Sequence, residues 1–341
     1  MQVAVPESNK KVGVVYAVTD DGLELPVIDV TNPAFAIDIG QNELDRLLQE
    51  HLRSVKNQSR LSKLIQPLML RLMARRSIVI RGIMEAAGGY MTGMNTYILK
   101  LGPDNMGNGY AGPIDRQISA SISGLSMRLR FQDVAHLLAD GSVPALAANR
   151  GKPLHLLNIG GGPAIDSLNA LIILHKQRSE LLAGRALFIH SLDLDEAGPN
   201  FGRRALEALQ AQDAPLHGLD IHFQHTNYNW SDTAVLRELV DSLRGKAVMA
   251  ASSEGALFEY GSDEDITANL RALHYGTPPD AIVVGSLTRS DATGRILNTS
   301  SRAAIKLRGL EAFSALVQAA GWRLAQSMDR PMSHDLVLRK A

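Results

Sequence analysis

Three consecutive glycines follow an apolar stretch and are the clearest sign of ligand-binding chemistry in this chain. Residues 154–159 are apolar enough for a buried strand, and Gly160, Gly161 and Gly162 come directly after them. Glycines at this point of an α/β fold let the backbone approach a nucleotide-like ligand at the carboxyl edge of the sheet. A nicotinamide or flavin fingerprint needs a third spaced glycine, and Ile165 stands there instead, so those cofactors are disfavoured.

A carboxylate stands at the end of the next predicted strand. Asp193 follows the apolar residues 186–192. A carboxylate in this position can accept two hydrogen bonds from the hydroxyls of a ribose. Two roles stay open for such an acid, ribose binding or capping of the following helix, and Asp195 is better placed than Asp193 for the second role.

Both features belong to a C-terminal half in which predicted strands and helices alternate. Apolar strands that alternate with helices predict a mostly parallel sheet covered by helices on both faces. The predicted strands are 154–159, 186–192, 219–225, 247–251, 281–287, 322–326 and 334–338, and the predicted helices are 164–176, 201–211, 233–244, 263–274 and 303–320.

Residues 1–150 have a different pattern, a short β start followed by helices. A strand over 12–18 precedes a turn signal at Asp20-Asp21-Gly22. Residues 88–113 are rich in Gly, Met, Asn and Tyr, and we expect either a loop or broken helix that approaches a ligand or an ordinary connector. The predicted helices are 41–56, 58–87 and 114–139, the last one ending at Gly141. We therefore predict two domains, a mainly helical N-terminal cap over 1–150 and an α/β domain over 151–341.

The C-terminal half resembles the class I S-adenosylmethionine (SAM)-dependent methyltransferase superfamily. The resemblance lies in the triple-glycine loop, the acidic end of the second strand and the closing pair of strands, and it covers about residues 150–341. It implies a Rossmann-like seven-stranded sheet of order 3-2-1-4-5-7-6 with one antiparallel strand. It also implies SAM as a co-substrate. We expect no metal, because His222 and His225, three residues apart on a predicted strand, would point to opposite faces.

The resemblance also implies roles for individual residues. The glycine loop would pass under the methionine and ribose, Asp193 would hold the ribose, and an Asn after the third strand would meet the adenine beside Trp230 or Tyr228. Asn158 departs from the acidic residue that the family often has near the start of the loop. The cofactor-binding residues implied in this way are Gly160, Gly161, Gly162, Asp193, Asn227, Asn229, Trp230, Ser252 and Ser253.

Candidates for catalysis and for the cap come from the polar and aromatic residues around these segments. Glu254, Tyr260 and Tyr110 are candidate catalytic groups, each with packing or solvation as the alternative. Tyr90 and Tyr97 are expected to give an electron-rich wall for a sulfonium. Asp115 and Arg116 could bind the amino and carboxylate groups of methionine, or could simply charge the start of a helix.

Composition excludes several classes of protein. The 341 residues include 35 Lys+Arg, 35 Asp+Glu and no Cys, so disulfides, cysteine nucleophiles and thiolate metal sites are absent. Zero net charge argues against a nucleic-acid binder. No stretch is apolar enough to span a membrane and no signal peptide is visible, so we expect a cytoplasmic protein. A homodimer is one option, since helical N-terminal segments often pair subunits.

Four functional hypotheses remain at this stage. The first is methyl transfer from SAM to a small-molecule substrate. The second is cyclisation of SAM to azetidine-2-carboxylate with release of methylthioadenosine, or a related aminocarboxypropyl transfer. The third is a cofactor-binding regulatory protein without turnover. The fourth, RNA modification, rests only on residues 51–84, which hold eight Lys and Arg and no acid, a pattern that solvated helix faces also produce.

Overall fold

The computed structural model describes residues 10–56, 71–86, 89–107, 109–298 and 304–341. Residues 58–70 and 87 of the predicted helix 58–87 lie outside the described residues, and with them Arg60 and Lys63 of the basic segment. The described part of this prediction is not one helix, because residues 74–77 separate a helical turn at 71–73 from the helix over Ile78–Glu85. The other arginines of that segment beyond residue 70, Arg71, Arg75, Arg76 and Arg81, are exposed.

A seven-stranded sheet forms the centre of the molecule and confirms the expected topology. Its order is β5-β4-β3-β6-β7-β9-β8, which is 3-2-1-4-5-7-6 when only its own strands are numbered. β9 runs antiparallel to β7 and β8, and the other pairs are parallel. The strands are β3 (Leu154–Ile159), β4 (Leu187–Asp193), β5 (Ile221–Asn227), β6 (Val248–Ser253), β7 (Ile282–Thr288), β8 (Trp322–Asp329) and β9 (Ser333–Lys340).

Helices cover the sheet and also build the N-terminal segment. Buried apolar side chains form two clusters, and successive residues of one strand belong to different clusters. Because such residues point to opposite faces of the sheet, helices pack on both faces. In chain order the helices are α1 (Gln41–Lys56), α2 (Ile78–Glu85), α3 (Gly93–Lys100), α4 (Pro113–Ala120), α5 (Ile122–Ala148), α6 (Ile165–Arg178), α7 (Ala197–Gln210), α8 (Ala234–Leu243), α9 (Leu257–Tyr260), α10 (Asp263–Gly276), α11 (Ala292–Asn298) and α12 (Leu310–Ala319).

The predicted helix 114–139 begins within one residue of its predicted start but is wrong in the middle and at its C-terminal end. The chain is extended at Ser121, which separates α4 from α5 and caps α5 by accepting from the Gly124 N–H. Helix α5 then continues through Gly141 to Ala148. A Cβ on Gly141 would lie 2.6 Å from the Ile282 side chain, so this glycine lets α5 approach β7 closely instead of ending the helix.

The other departures from prediction are also local. The β start is a hairpin of β1 (Tyr16–Val18) and β2 (Glu24–Pro26), turning at the predicted site. Helix α12 is shorter than the predicted helix 303–320, whose described residues 304–309 are not helical. The segment 88–113, predicted as a loop or a broken helix, contains α3 and so takes the second form.

The N-terminal segment and the sheet share one apolar core. Leu25 of the hairpin, Leu138 of α5 and Leu156 of β3 belong to a single cluster of buried side chains. Burial of this continuous surface ties the hairpin and α5 to the sheet. The proposed division at residue 150 falls between α5 and β3 and remains a prediction. No helix in the described part of the chain is long and apolar enough to cross a membrane.

Candidate functional site

The glycine loop follows β3 and is held by the neighbouring strand β4. The Gly160 N–H donates to the Leu192 carbonyl at 2.8 Å. Ser191 donates its hydroxyl to the Gly162 carbonyl at 2.8 Å, and the Gly162 N–H donates to Asp193 Oδ2, also at 2.8 Å. Both peptide groups of Gly162 are therefore fixed by β4, so the loop has one defined shape at the carboxyl edge of the sheet.

Asp193 stands at this edge as a half-buried carboxylate. Its Oδ1 accepts from the Asp195 N–H at 2.9 Å while Oδ2 accepts from Gly162. Burial raises the pKa of Asp193, and these two backbone hydrogen bonds oppose the rise. Each carboxylate oxygen can accept a further hydrogen bond, so Asp193 can hold the loop and still receive ligand hydroxyls.

A cleft opens where the loop, β4 and the cap meet. Gly160 and Asp193 form one side of it, and three aromatic side chains, Tyr90, Trp230 and Tyr260, form another. The Tyr90 ring centroid lies 6.1 Å from that of Trp230 and 6.2 Å from that of Tyr260. We call these three side chains the aromatic wall. The ring faces of such a wall attract cations.

The cap contributes backbone as well as Tyr90 to this cleft. Met91, Thr92 and Gly93 line it, and a Cβ on Gly93 would lie 2.6 Å from Gly162 Cα. No real side chain carbon fits at that distance. Only a pair of glycines therefore lets the start of α3 rest on the glycine loop.

The segment after β5 carries the predicted adenine-facing residues, and the structure separates them. Trp230 reaches the cleft, but Asn227 and Asn229 are exposed and do not line it. Asn227 donates to the Leu194 carbonyl at 3.4 Å, and Asn229 Oδ1 accepts from the Ser231 N–H. Tyr228 lines the cleft but is buried, and its hydroxyl donates to Asn269 Oδ1 at 2.5 Å.

Ser252 and Ser253 at the end of β6 are internal and do not line the cleft. Ser252 Oγ accepts from the Asn158 amide at 3.2 Å. Ser253 donates to the Ile159 carbonyl at 3.1 Å and accepts from the Leu257 N–H at 3.0 Å. Their contacts connect β6 to the end of β3 and to α9, and they give neither serine a free group toward the cleft.

Glu254 is part of a buried ion cluster. It pairs with Lys100 of α3 and with Arg130 of α5, whose Nε lies 2.6 Å from Glu254 Oε1. Arg130 also contacts Glu259 Oε1 at 2.7 Å. Burial alone would raise the pKa of Glu254, but Lys100 and Arg130 outweigh it and lower the pKa. A carboxylate held in this way is a poor proton acceptor, which argues against Glu254 as a general base.

The two candidate catalytic tyrosines lie in different places. Tyr260 lines the cleft, and its burial raises the pKa of its hydroxyl, so it is present as a neutral phenol. Tyr110 does not line the cleft and packs against the core cluster that includes the hairpin. Of these two tyrosines, Tyr260 is therefore the one with a hydroxyl-bearing side chain at the cleft, and Tyr110 has the packing role that was its alternative.

Three cap candidates have structural roles. Tyr97 is buried, donates to the Pro26 carbonyl at 2.7 Å and packs edge-on against Phe201, so it is not part of the aromatic wall. Asp115 is fully buried and accepts from Ser77, from the Val79 N–H and from the Gly112 N–H.

Asp115 therefore caps the N-termini of α2 and α4. This is the second of the two roles predicted for it, at the start of a helix and not at the ligand. Arg116 donates to the Met106 carbonyl at 3.0 Å and does not line the cleft. In the described ranges, no group of three or more His, Asp or Glu side chains is placed to hold a metal ion.

Comparison with known proteins bears on the fold. No protein-family model and no curated protein sequence matches the chain. A solved structure of a possible exported protein from Bordetella parapertussis has 14% identity, covers 89% of this chain and 97% of its own, and superposes with a TM-score of 0.57. Because it covers most of both chains, the shared fold includes much of the N-terminal segment.

Weaker similarity extends to structures with named activities. A SAM-dependent methyltransferase from Leishmania major has 13% identity and a TM-score of 0.39, over 64% of this chain and 78% of its own. The LepI complex with SAM has 14% identity and a TM-score of 0.38, over 60% of this chain. The match spans about half of LepI, 46% of its length. Identities this low bear on fold alone.

The strand order decides the fold. A parallel sheet of order 3-2-1-4-5 that ends in the pair 7-6, with strand 7 antiparallel, is the arrangement that the resemblance implies. This chain has the fold of the class I SAM-dependent methyltransferases. Ligands of such open sheets bind at the carboxyl edge, beside the point where strand order reverses, and the cleft lies there between β3 and β6.

Several residues at this cleft were not predicted from sequence. Leu194, Asp195, Gly255 and Ala256 line the cleft, and Lys100 and Arg130 form the ion cluster behind it. Gly255 sits at a positive φ of 67° directly after Glu254, and this glycine was a visible signal of a turn. Nothing in the sequence pairs Arg130 with Glu254, since 124 residues separate them.

Proposed function

We propose that the chain binds SAM in the cleft and transfers its methyl group to a small molecule. The observation that carries the proposal is the meeting of three features at one cleft: a fixed glycine loop, a carboxylate at the end of β4 and an aromatic wall. The loop and Asp193 suit the ribose of a nucleoside, and the wall suits a sulfonium cation.

The chemistry expected of the protein is alignment and exclusion of water. SAM supplies an activated methyl group when it is bound, so the protein needs to place a nucleophile in line with the carbon–sulfur bond. Tyr260 offers a neutral hydroxyl at the cleft that can donate a hydrogen bond to an acceptor. Tyr90 and Gly93 of the cap cover the cleft and limit the entry of water.

Cyclisation of SAM is a second candidate function, favoured by the tight fit of the cap. The start of α3 rests directly on the glycine loop, where a Cβ on Gly93 would lie 2.6 Å from Gly162 Cα, and this leaves little space for a second substrate beside a nucleoside ligand. In this reaction the amino nitrogen loses a proton and bonds to the γ-carbon, the carbon–sulfur bond breaks, and neutral methylthioadenosine leaves.

Replacement of Asp193 by alanine is expected to weaken SAM binding at least about tenfold, because it removes two hydrogen bonds to an ionised group. The ribose assignment also predicts which ligands lose affinity for the variant. Binding of 2′,3′-dideoxyadenosine, which lacks the diol, should change much less than binding of adenosine. Calorimetric titration of both ligands into wild type and variant measures this difference.

The control for this experiment is Asp140→Asn, at an exposed position on α5, which should bind like wild type. If Asp193→Ala binds SAM as tightly as wild type, the ribose assignment is wrong. If wild type binds neither SAM nor adenosine, the proposed function itself fails.

A further inference from the structure

Helix α9, which carries Tyr260 of the aromatic wall, is too short to be stable by itself. Isolated helices of fewer than about 12–15 residues are marginal in water, and the last carbonyls of a helix have no partner within it. At this end of α9 the carbonyls of Phe258, Glu259 and Gly261 all accept hydrogen bonds from one segment, residues 304–309, which leads into α12. The position of Tyr260 therefore depends on a segment that is distant in sequence.

Arg308 supplies two of these three hydrogen bonds from its guanidinium group. Its Nη2 donates to the Gly261 carbonyl at 2.6 Å, and its Nη1 donates to the Phe258 carbonyl at 3.2 Å. Its Nε pairs with Asp263, the first residue of α10, at 2.7 Å. The Arg308 side chain is 9% exposed. All three nitrogens are therefore bound in one planar fork, which the ammonium group of a lysine cannot reproduce.

The backbone of the same segment contacts the residues that precede two members of the aromatic wall. The Lys306 N–H donates to the carbonyl of Glu259, directly before Tyr260, at 2.8 Å. The Ala304 N–H donates to the carbonyl of the glycine before Tyr90 at 2.7 Å. Residues 304–309 therefore bridge the cap and α9 next to the cleft.

The side chain of Tyr260 joins this anchored helix to the cap. Its ring centroid lies 6.2 Å from that of Tyr90. Its hydroxyl oxygen accepts from the Met91 N–H, and this hydrogen bond opposes the rise in the pKa of the phenol that burial causes. Because the oxygen accepts from the cap, the hydroxyl hydrogen can donate to a ligand in the cleft. The place of this donor is set by where α9 is held.

We infer that Arg308 is a positioning residue for the proposed function, and that it keeps Tyr260 at the cleft by binding the carbonyls on both sides of it. The inference rests on the proposed function, in which the aromatic wall contacts SAM. Arg308 itself does not line the cleft, so it acts through Tyr260 and not on the ligand. Its loss should alter ligand binding only as long as Tyr260 is present.

Arg185 offers a matched control. It is 6% exposed and donates to the carbonyls of Leu181 and Leu146 at 2.9 and 3.1 Å. It also donates to the carbonyl of Lys152, just before β3, so it lies at the amino edge of the sheet, opposite the cleft. Replacing either arginine by methionine removes buried donors to backbone carbonyls, but only the change at Arg308 releases α9.

The first test is a double-mutant cycle for SAM binding, measured by calorimetry. Arg308→Met is expected to weaken binding about fivefold, the size of a lost contact between an aromatic ring and a cation. In the Tyr260→Leu background the same substitution should change the affinity by less than about twofold. Arg185→Met should bind like wild type, although both arginine variants lose stability. If Arg308→Met does not fold, Arg308→Lys takes its place in the cycle, since lysine keeps the charge but not the fork.

A second readout follows Tyr260 without any ligand. Protein labelled with 3-fluorotyrosine gives a fluorine NMR resonance for Tyr260, which is identified by its absence from Tyr260→Phe. This resonance should shift in Arg308→Met and keep its position in Arg185→Met, because only the first substitution frees the carbonyls of α9.

An unmoved Tyr260 resonance in Arg308→Met would overturn the inference and leave the proposed function standing. So would a loss of SAM affinity that is the same with and without Tyr260, or one no larger than that of Arg185→Met. Failure of wild type to bind SAM would overturn the inference together with the proposed function.

Discussion

Replacing Arg130 by methionine is expected to lower the free energy of unfolding by about 3–5 kcal/mol. Arg130 is 8% exposed and contacts Glu254 and Glu259, which are both buried. Methionine keeps much of the volume but removes the cation, so Glu259 loses this partner and Glu254 retains only Lys100. An unpaired buried carboxylate is costly because the protein interior solvates charge poorly.

Urea unfolding followed by circular dichroism measures this loss. Arg46→Met is the matched control, since Arg46 pairs with Glu43 and Glu50 on the exposed face of α1. Exposed pairs contribute about 0–1 kcal/mol. If Arg130→Met folds too poorly to measure, the double variant Arg130→Met/Glu259→Gln should recover much of the stability. A loss no larger than that of Arg46→Met would contradict the cluster's structural role.

Replacing Asp166 by asparagine is expected to stabilise the ligand-free protein at neutral pH, by an amount on the order of 1–3 kcal/mol. Burial raises the pKa of Asp166 from 3.8 to about 6. The folded protein therefore binds this proton more tightly than the unfolded chain does. As pH rises from 3.8 through 6, wild type loses stability relative to the variant, because it must hold a buried anion.

Unfolding free energies of wild type and Asp166→Asn at a series of pH values test this prediction. The difference should be small near about pH 4 and reach its full size above about pH 7. Asp140→Asn should show no such trend, since that residue is exposed. A gain that does not depend on pH, or a loss of stability at neutral pH, would contradict the raised pKa of Asp166.

The sheet could be predicted from sequence because its signals are local and repeated. Each apolar run followed by a helical pattern, such as 248–253 and then α10, specifies one strand–helix unit. The resemblance supplied the strand order, which the residues alone do not determine. The positions of the glycine loop and Asp193 at the carboxyl edge of the sheet could be predicted for the same reason, since both lie directly after predicted strands.

The cap was predicted poorly because its structure depends on contacts between distant segments. Gly141 has the local signature of a helix end, but close packing on Ile282 overrides it. Asp115 reads as a site acid from its place near Arg116, but it is used to cap two helices. Tyr97 reads as a wall residue, but its hydroxyl bonds to the Pro26 carbonyl, 71 residues away in sequence.

In the candidate site, too, some features follow from local sequence and others depend on contacts between distant segments. Trp230, Tyr90 and Tyr260 were each named from sequence, and the structure brings them together at one cleft. Glu254 was also named, but its partners Lys100 and Arg130 lie on α3 and α5, where no sequence motif marks them as partners of Glu254. A carboxylate's role as base or as half of an ion pair depends on such partners, and periodicity does not reveal them.

The measurement that tests the central claim most directly is product analysis by mass spectrometry after incubation of the purified protein with SAM. One sample contains SAM alone, and the other also contains a pool of small-molecule metabolites. Methyl transfer predicts that S-adenosylhomocysteine accumulates only when the pool is present, and that Asp193→Ala slows its formation. Methylthioadenosine formed from SAM alone, or no product in either sample, would contradict the claim.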